Sequence, residues 1–249
     1  MFTPAERTRI RDALITRARS DPGIAGAALA GSAARDAEDP WSDIDLVLQL
    51  APDVAEPEVV EAWTDSIADR YGIADTLDIF AGGVRYRVFL LPSSLQIDVS
   101  FWPHDQFRAT EPGFRMIFGT ANPATQPSPP DVGTVIGMGW LYALHARSAL
   151  ARGRLWQTVL MTDDLRGQLI TLICVRRDLN PWHGREVDRL PAADLQILTE
   201  SRAREVTVEA LEASRIYLTA RFLAELEQHD QQRADRLRPA FEELIRPVG

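Results

Sequence analysis

Two aspartates separated by a single residue stand in an apolar segment near position 44. Asp43 and Asp45 alternate there with Ile44 and Leu46. In a β-strand, side chains two residues apart point to the same face, so the carboxylates would project together while their apolar neighbours enter the core. Two converging carboxylates repel each other unless a cation neutralises them, and oxygen ligands favour a hard ion such as Mg²⁺. The spacing therefore predicts a metal site.

A third acid, Asp98, has a similar apolar setting between Ile97 and Val99. We expect its strand to lie beside the strand of Asp43 and Asp45. Three carboxylates on one sheet face could hold two Mg²⁺ ions roughly 3.5–4 Å apart, an arrangement that supports in-line phosphoryl displacement. Asp98 is predicted to be the third ligand, the base that accepts a hydroxyl proton, or both. The alternative is that all three are solvated strand or turn acids.

Gly31 and Ser32 end an apolar run and precede a predicted helix start. Such a junction exposes backbone N–H groups and a hydroxyl to a phosphate, and glycine permits close approach. Arg35 lies one turn further on and could add a positive charge, with a surface role as the alternative. Ser42 is a candidate nucleotide contact, although it could instead only shape the turn before the strand.

The elements that must position these residues follow from hydrophobic periodicity. Residues 4–19 predict an amphipathic helix and residues 56–71 a second one. Residues 24–30 and 44–50 predict strands. Residues 84–90 and 95–101 predict two more strands, joined as a hairpin with Pro92-Ser93-Ser94 between them.

The chain divides at a segment rich in proline and small polar residues. Residues 121–131 are predicted to be a linker between a catalytic domain, residues 1–120, and a helical bundle, residues 132–249. We expect the active site in the cleft between the two domains. Asp163 and Asp164, in the second predicted helix of the bundle, are candidates for binding a cationic acceptor or serving as base; the alternative is solvated helix acids.

Composition excludes several kinds of chemistry. All 27 basic residues are arginine, so neither a lysine Schiff base nor a P-loop lysine is available. The net charge of −9 argues against general nucleic-acid binding, which needs a basic surface. The acidic excess lies in residues 1–131, which hold 11 Arg against 20 Asp and Glu. Cys174 is the single cysteine and is expected to be a buried apolar residue. Without a membrane-length apolar run or a signal-peptide pattern, a cytoplasmic location is expected.

The order of these residues resembles the DNA polymerase β-type nucleotidyltransferases. The shared pattern is an apolar strand, Gly31-Ser32, a loop of about ten residues, Asp43-Ile-Asp45-Leu and a later acid between apolar residues. Ser-Asp-Ile-Asp-Leu after a Gly-Ser loop most resembles the bacterial nucleotidyltransferases that modify aminoglycosides or lincosamides. One departure is Asp36, where many relatives have glycine; an acid there could crowd a triphosphate.

This resemblance implies an α/β (α+β) fold, a small mixed-sheet catalytic domain followed by an α-helical domain. It implies transfer of AMP from Mg²⁺-bound ATP, or another nucleoside monophosphate, to a hydroxyl of a small molecule, with release of pyrophosphate. Two further hypotheses about the function stay open. One is a toxin–antitoxin-type nucleotidyltransferase that modifies a protein or RNA partner, and the other is a catalytically silent binding module. The oligomeric state is left open.

Overall fold

The computed structural model describes residues 1–110, 113–125 and 128–248 and forms two compact units, Met1–Ser128 and Pro129–Gly249. The first unit contains a mixed β-sheet with helices, and the second is helical. This arrangement confirms the predicted fold class, an α/β region followed by a helical region. Among the described residues, no helix combines the length and apolar character that a membrane crossing requires.

The first unit interleaves helices and strands. Its first helix is capped by Thr3, whose hydroxyl accepts a hydrogen bond from the backbone N–H of Glu6, and it begins at a proline, as helix starts commonly do. The elements in chain order are α1 (Pro4–Ser20), β1 (Ile24–Ala30), the four-residue α2 (Gly31–Ala34), β2 (Ile44–Leu50), α3 (Glu56–Tyr71), β3 (Asp75–Ala81), β4 (Val84–Leu90), β5 (Gln96–Trp102) and β6 (Phe114–Phe118).

The six strands form one sheet in the order β3-β4-β5-β2-β1-β6. Neighbouring strands are antiparallel except β2 and β5, which are parallel. The parallel pair can form because α3, β3 and β4 lie between the two strands in the chain and return it to the same end of the sheet. The central strands of the sheet are therefore the two that carry Asp45 and Asp98.

The two faces of the sheet have different surroundings. Ile44, Leu46 and Ile97 point into a core that also contains apolar residues of α1 and α3. Because side chains alternate along a strand, Asp45 and Asp98 point to the opposite face. A smaller apolar cluster covers part of that opposite face; it includes Ala28, Val47, Val84, Trp102 and Phe107.

Two strands were not predicted from the sequence. The predicted hairpin is confirmed, since β4 pairs with β5 in antiparallel register. However, β4 also pairs with β3 across Gly82 and Gly83, whose φ angles of +58° and +83° suit a tight turn that glycine makes without steric cost. At the other edge, β6 pairs with β1. Both additions are edge strands.

In the part of the second unit that the structure describes, five α-helices share an apolar core. Gly139 allows two of them to approach closely, because a Cβ atom there would lie 2.0 Å from the ring of Phe222. Cys174 is buried, as predicted. The helices are α4 (Val132–Ala151), α5 (Leu155–Arg176), α6 (Ala192–Glu200), α7 (Val208–His229) and α8 (Gln231–Leu244).

Candidate active site

Three carboxylates converge at one end of the parallel strand pair. Asp45 on β2 lies directly opposite Asp98 on β5 in the strand register, and Asp43 immediately precedes β2. One oxygen from each of the three lies within 4.8 Å of the others, and all three side chains are half-buried. The adjacency of the two strands was predicted from the sequence, and the register places the acids on the same face.

Burial and charge make this cluster electrostatically costly when ionised. Burial and, to a smaller extent, the neighbouring carboxylate of Asp43 together raise the pKa of Asp98 to about 6. The side-chain amide of Gln96 acts in the opposite direction, since its Nε2 donates to the two Asp98 oxygens at 3.1 and 3.2 Å. The site therefore favours uptake of a proton or a cation.

The donor set and its size fit Mg²⁺. A magnesium ion holds its oxygen ligands at about 2.1 Å, so opposite ligands in its octahedron are about 4 Å apart. The carboxylate oxygens of Asp43, Asp45 and Asp98 are gathered on this scale. Of the described histidine, cysteine and acidic residues, no other group of three or more is gathered closely enough to hold a metal ion.

Gly31 makes room for one of these carboxylates. Its φ angle is +60°, and a Cβ atom at this position would lie only 2.0 Å from Oδ2 of Asp45. A side chain at residue 31 would therefore have to displace the Asp45 carboxylate. The sequence predicted that this glycine admits a phosphate, which stays a prediction; the structure shows that it leaves space for the Asp45 carboxylate.

Ser32 has an unsatisfied hydroxyl next to the acidic cluster. Its Oγ is buried without a hydrogen-bond partner among the described residues, while its backbone carbonyl accepts from the N–H groups of Arg35 and Ala37. A buried hydroxyl without a partner loses the hydrogen bonds that water would give it. A phosphate oxygen arriving at this turn would restore one.

The turn after Ser32 carries both charged residues singled out in the sequence. Arg35 is exposed and lies close to Gly113. A Cβ atom built on Gly113 would be 3.0 Å from Nη1 of Arg35 and 3.2 Å from the carbonyl oxygen of Gly31. Asp36 adopts a φ of +52°, and its carboxylate accepts from Arg115 at 2.6 Å. The acid that stands in place of glycine is therefore paired with an arginine of β6.

The loop leading to Asp43 is held by Arg7 of α1, a residue that sequence reasoning missed. Arg7 is only 3% exposed. Its Nη1 donates to the carbonyl oxygens of Asp39 and Ser42, the second at 3.1 Å, and its Nε forms an ion pair with Glu38 at 3.2 Å. Arg11 also binds the Glu38 carboxylate. Two arginines thus fix the chain just before the first metal-ligand candidate.

Ser42 takes part in the same loop structure. Its hydroxyl donates to Asp39 Oδ1 at 3.0 Å and accepts from the Asp39 backbone N–H at 2.9 Å. This geometry closes the turn before β2, as serine and aspartate commonly do. The hydrogen bonds account for Ser42 without a ligand, and its contact with a nucleotide stays a prediction.

A cavity of about 140 Å³ opens beside Asp45 and Asp98 on the same sheet face. Sequence reasoning did not single out its other polar and aromatic walls. Arg108 enters it from the segment after β5, where Nε donates to the carbonyl of Gln106 at 2.7 Å. Further lining residues are Tyr86, Ser100, Trp102, Thr110 and Phe114.

Asp163 and Asp164 are both exposed on α5 of the second unit. Asp163 pairs with Arg166 one turn along the helix and lines a pocket together with Arg202 and Arg204. These arginines surround it with positive charge, which lowers its suitability for a cationic ligand. The acceptor role of the two acids stays a prediction.

No protein-family model matches the chain, and no curated protein matches it. Among solved structures, an aminoglycoside 6-adenyltransferase from Bacillus subtilis is similar at a TM-score of 0.40 and 11% identity, over 98% of this chain and 99% of that one. A nucleotidyltransferase-like protein from Exiguobacterium sibiricum is similar at a TM-score of 0.38 and 11% identity, over 88% and 75%. The polymerase core of TRAMP, an RNA surveillance complex, is similar at 0.30 and 15% identity, over 88% and 60%. At these scores the functional assignment rests on the carboxylate geometry.

Proposed function

We propose that this protein is a Mg²⁺-dependent nucleotidyltransferase that transfers a nucleoside monophosphate, AMP from ATP, to a hydroxyl of a small molecule. The observation that carries the proposal is the convergence of Asp43, Asp45 and Asp98 within 4.8 Å, with the last two in direct register on parallel strands. Three half-buried acids at one point are stabilised only by a cation or a proton. A cation held in this way can bind a triphosphate.

The proposed reaction is an in-line displacement at the α-phosphorus. The acceptor oxygen bonds to that phosphorus while the bond to the bridging oxygen of the β-phosphate breaks, and pyrophosphate leaves. Bound Mg²⁺ would supply charge neutralisation for the hydroxyl and for the leaving group. Asp43 and Asp45 would hold it. Asp98, with a pKa of about 6, is mostly ionised at neutral pH and can accept the hydroxyl proton, bind metal, or do both.

The phosphate end of the proposed site is the turn that follows β1. The buried, unpartnered Ser32 hydroxyl supports this placement, because a phosphate oxygen would give it a hydrogen bond. Arg35 is exposed on the same turn and would add a guanidinium for the β- and γ-phosphates. Asp36 is drawn to Arg115, which reduces its repulsion of a triphosphate.

The test is a screen for pyrophosphate release. ATP, GTP, CTP and UTP are offered with Mg²⁺ and a panel of hydroxyl acceptors, including aminoglycosides and lincosamides. We expect release with at least one pair, and its loss in Asp43→Asn and Asp45→Asn. Asp65→Asn, an exposed acid on α3, is the matched control and should keep full activity. Near-normal turnover in either metal-ligand variant would refute the assignment.

The acceptor class is tested in a parallel incubation with ATP labelled at the α-phosphate. Label on a small-molecule acceptor supports the proposal. Transfer to added RNA or protein would instead favour the toxin–antitoxin-type enzyme. A protein that neither releases pyrophosphate nor gains thermal stability from ATP and Mg²⁺ would be a silent module.

A further inference from the structure

Apolar residues of β4 and β3 lie beside the carboxylates on the same face of the sheet. Asp45 pairs with Asp98 across β2 and β5, Asp98 pairs with Val88 across β5 and β4, and Val88 pairs with Leu77 across β4 and β3. Directly paired residues point to the same face of a sheet. The next row on that face runs from Ser100 through Tyr86 and Ile79.

We name Leu77, Ile79, Tyr86, Val88 and Leu90 the apolar platform. Three of these side chains are strongly exposed, Leu77 by 58%, Ile79 by 48% and Leu90 by 45%. Neighbouring strands are about 4.8 Å apart, so the nearer strand of the platform, β4, lies about 5 Å from the strand of Asp98 and the farther strand, β3, about 10 Å from it. Tyr86 lines the cavity that also contains Asp98, so the platform and the cavity are continuous.

The other large exposed apolar side chain of β3 has a partner. Phe80 is 64% exposed and points to the other face of β3, where the guanidinium of Arg85 covers its ring at 4.8 Å. Leu77 and Ile79 belong to none of the apolar clusters of the first unit, although both are large. Clustered exposed apolar residues beside a cavity commonly mark a binding surface.

The proposed reaction determines what this surface would bind. The triphosphate is placed at Gly31 and Ser32, on the β1 and β2 side of the carboxylates. The acceptor hydroxyl must reach Asp98 from the other side, where the adjoining surface is the β4 and β3 face. The body of the acceptor then lies on the apolar platform.

We propose that the apolar platform is the acceptor subsite, and that the acceptor is a hydroxyl compound with an apolar face rather than a polycation. This inference rests on the proposed function. The arginines of β4, Arg85 and Arg87, point to the opposite face and pair with Asp78. On the platform side of β3 the acid is Asp75, which lies at one end opposite Leu90. Apart from the carboxylate cluster, whose charge the bound cation would neutralise, such a surface offers a polycation little countercharge. Of the two antibiotic classes named above, it favours the lincosamides.

The experiment compares octyl β-glucoside, below its micelle concentration, with methyl β-glucoside. The two probes share the same hydroxyls and differ in the apolar chain. Binding is measured by calorimetry with and without Mg²⁺ and a non-hydrolysable ATP analogue. We expect the octyl compound to bind about tenfold or more tightly than the methyl compound, since burying an alkyl chain on the platform removes apolar area from water.

The variant Leu77→Thr/Ile79→Thr should abolish that preference. Threonine suits strands and both positions are exposed, so the fold is expected to persist; circular dichroism and each single variant check this. Phe80→Thr is the matched control, because it changes a large exposed residue of the same strand on the opposite face, and it should keep the preference.

Three results would overturn the inference: no preference for the octyl compound in the wild type, a preference that survives in the double variant, or its loss in the Phe80→Thr control. A wild-type dimer in light scattering that the double variant converts to a monomer would also overturn it, by assigning the platform to a second copy. Failure of the wild type to bind the ATP analogue with Mg²⁺ would refute the proposed function instead. The comparison of the two glucosides without nucleotide tests binding to the platform independently of the proposed function.

Discussion

Gly31→Ala is the sharpest test of the carboxylate geometry, because the chain contains a matched control. Gly31 and Gly82 have nearly the same φ angles, +60° and +58°. A Cβ atom on Gly31 would lie 2.0 Å from Oδ2 of Asp45, whereas one on Gly82 would have nothing within 4 Å. The two variants therefore share the backbone strain and differ in the contact with Asp45.

The expected magnitudes follow from this difference. An L-residue in the left-handed region costs about 1–2 kcal/mol, so Gly82→Ala should lower the free energy of unfolding by about that amount. Gly31→Ala should lower it by about 0.5–1.5 kcal/mol more, because the Asp45 carboxylate, which ends its side chain, must turn away from its present rotamer. The contact must lengthen from 2.0 Å to at least 3.0 Å, so the Asp45 carboxylate moves by about 1 Å.

That displacement should be far more visible in activity than in stability. A misplacement of about 1 Å in a catalytic group can reduce a rate about 100-fold. We expect Gly31→Ala to lose about that much pyrophosphate release and to need more Mg²⁺, while Gly82→Ala keeps wild-type activity. Urea unfolding and Mg²⁺ titration of turnover measure the two effects. Equal stability and equal Mg²⁺ dependence in both variants would refute the proposed crowding between residue 31 and Asp45.

Three further predictions address other parts of the site. Since burial raises the pKa of Asp98 to about 6, the folded protein binds more protons than the unfolded chain between about pH 4 and 6. Metal-free Asp98→Asn should therefore unfold in urea with about 1 kcal/mol more stability than wild type at pH 8, and with no gain at pH 4. Arg7→Met should lower the free energy of unfolding by about 3 kcal/mol and reduce pyrophosphate release, because it removes the buried donor of the Asp39 and Ser42 carbonyls and leaves Glu38 with Arg11 alone; Arg7→Lys should recover part of both. Asp163→Asn and Asp164→Asn should leave calorimetric binding of ATP and Mg²⁺ unchanged, and loss of that binding would place these acids in the metal centre.

The alternation of acids and apolar residues made the carboxylate cluster predictable. Asp45 could be assigned to a strand face from its neighbours alone, and the similar setting of Asp98 indicated a strand beside it. These signals are visible in the sequence because the buried residues Ile44, Leu46 and Ile97 alternate with acids at a period of two.

The features that were missed depend on tertiary contacts. β3 is an edge strand whose side chains are mostly exposed, so its sequence has no clear buried face. In the sequence, Arg7 looks like a surface residue of an amphipathic helix. It is buried because the loop of Asp39 and Ser42, which is distant in the chain, packs on it and accepts its hydrogen bonds. The position of Arg7 in line with Ile10 and Leu14 on the buried side of α1 was the available signal.

The parallel pairing of β2 with β5 also predicts that the carboxylate cluster forms late in folding. Asp45 and Asp98 are separated in the chain by all of α3, β3 and β4, so their carboxylates come together only when β5 has paired with β2. Closing such a long loop is entropically costly and favours slow folding. Mg²⁺ would then bind the native state almost exclusively, and its free concentration would shift the folding equilibrium by mass action. The cation would thereby act on the abundance of the folded protein as well as on its chemistry.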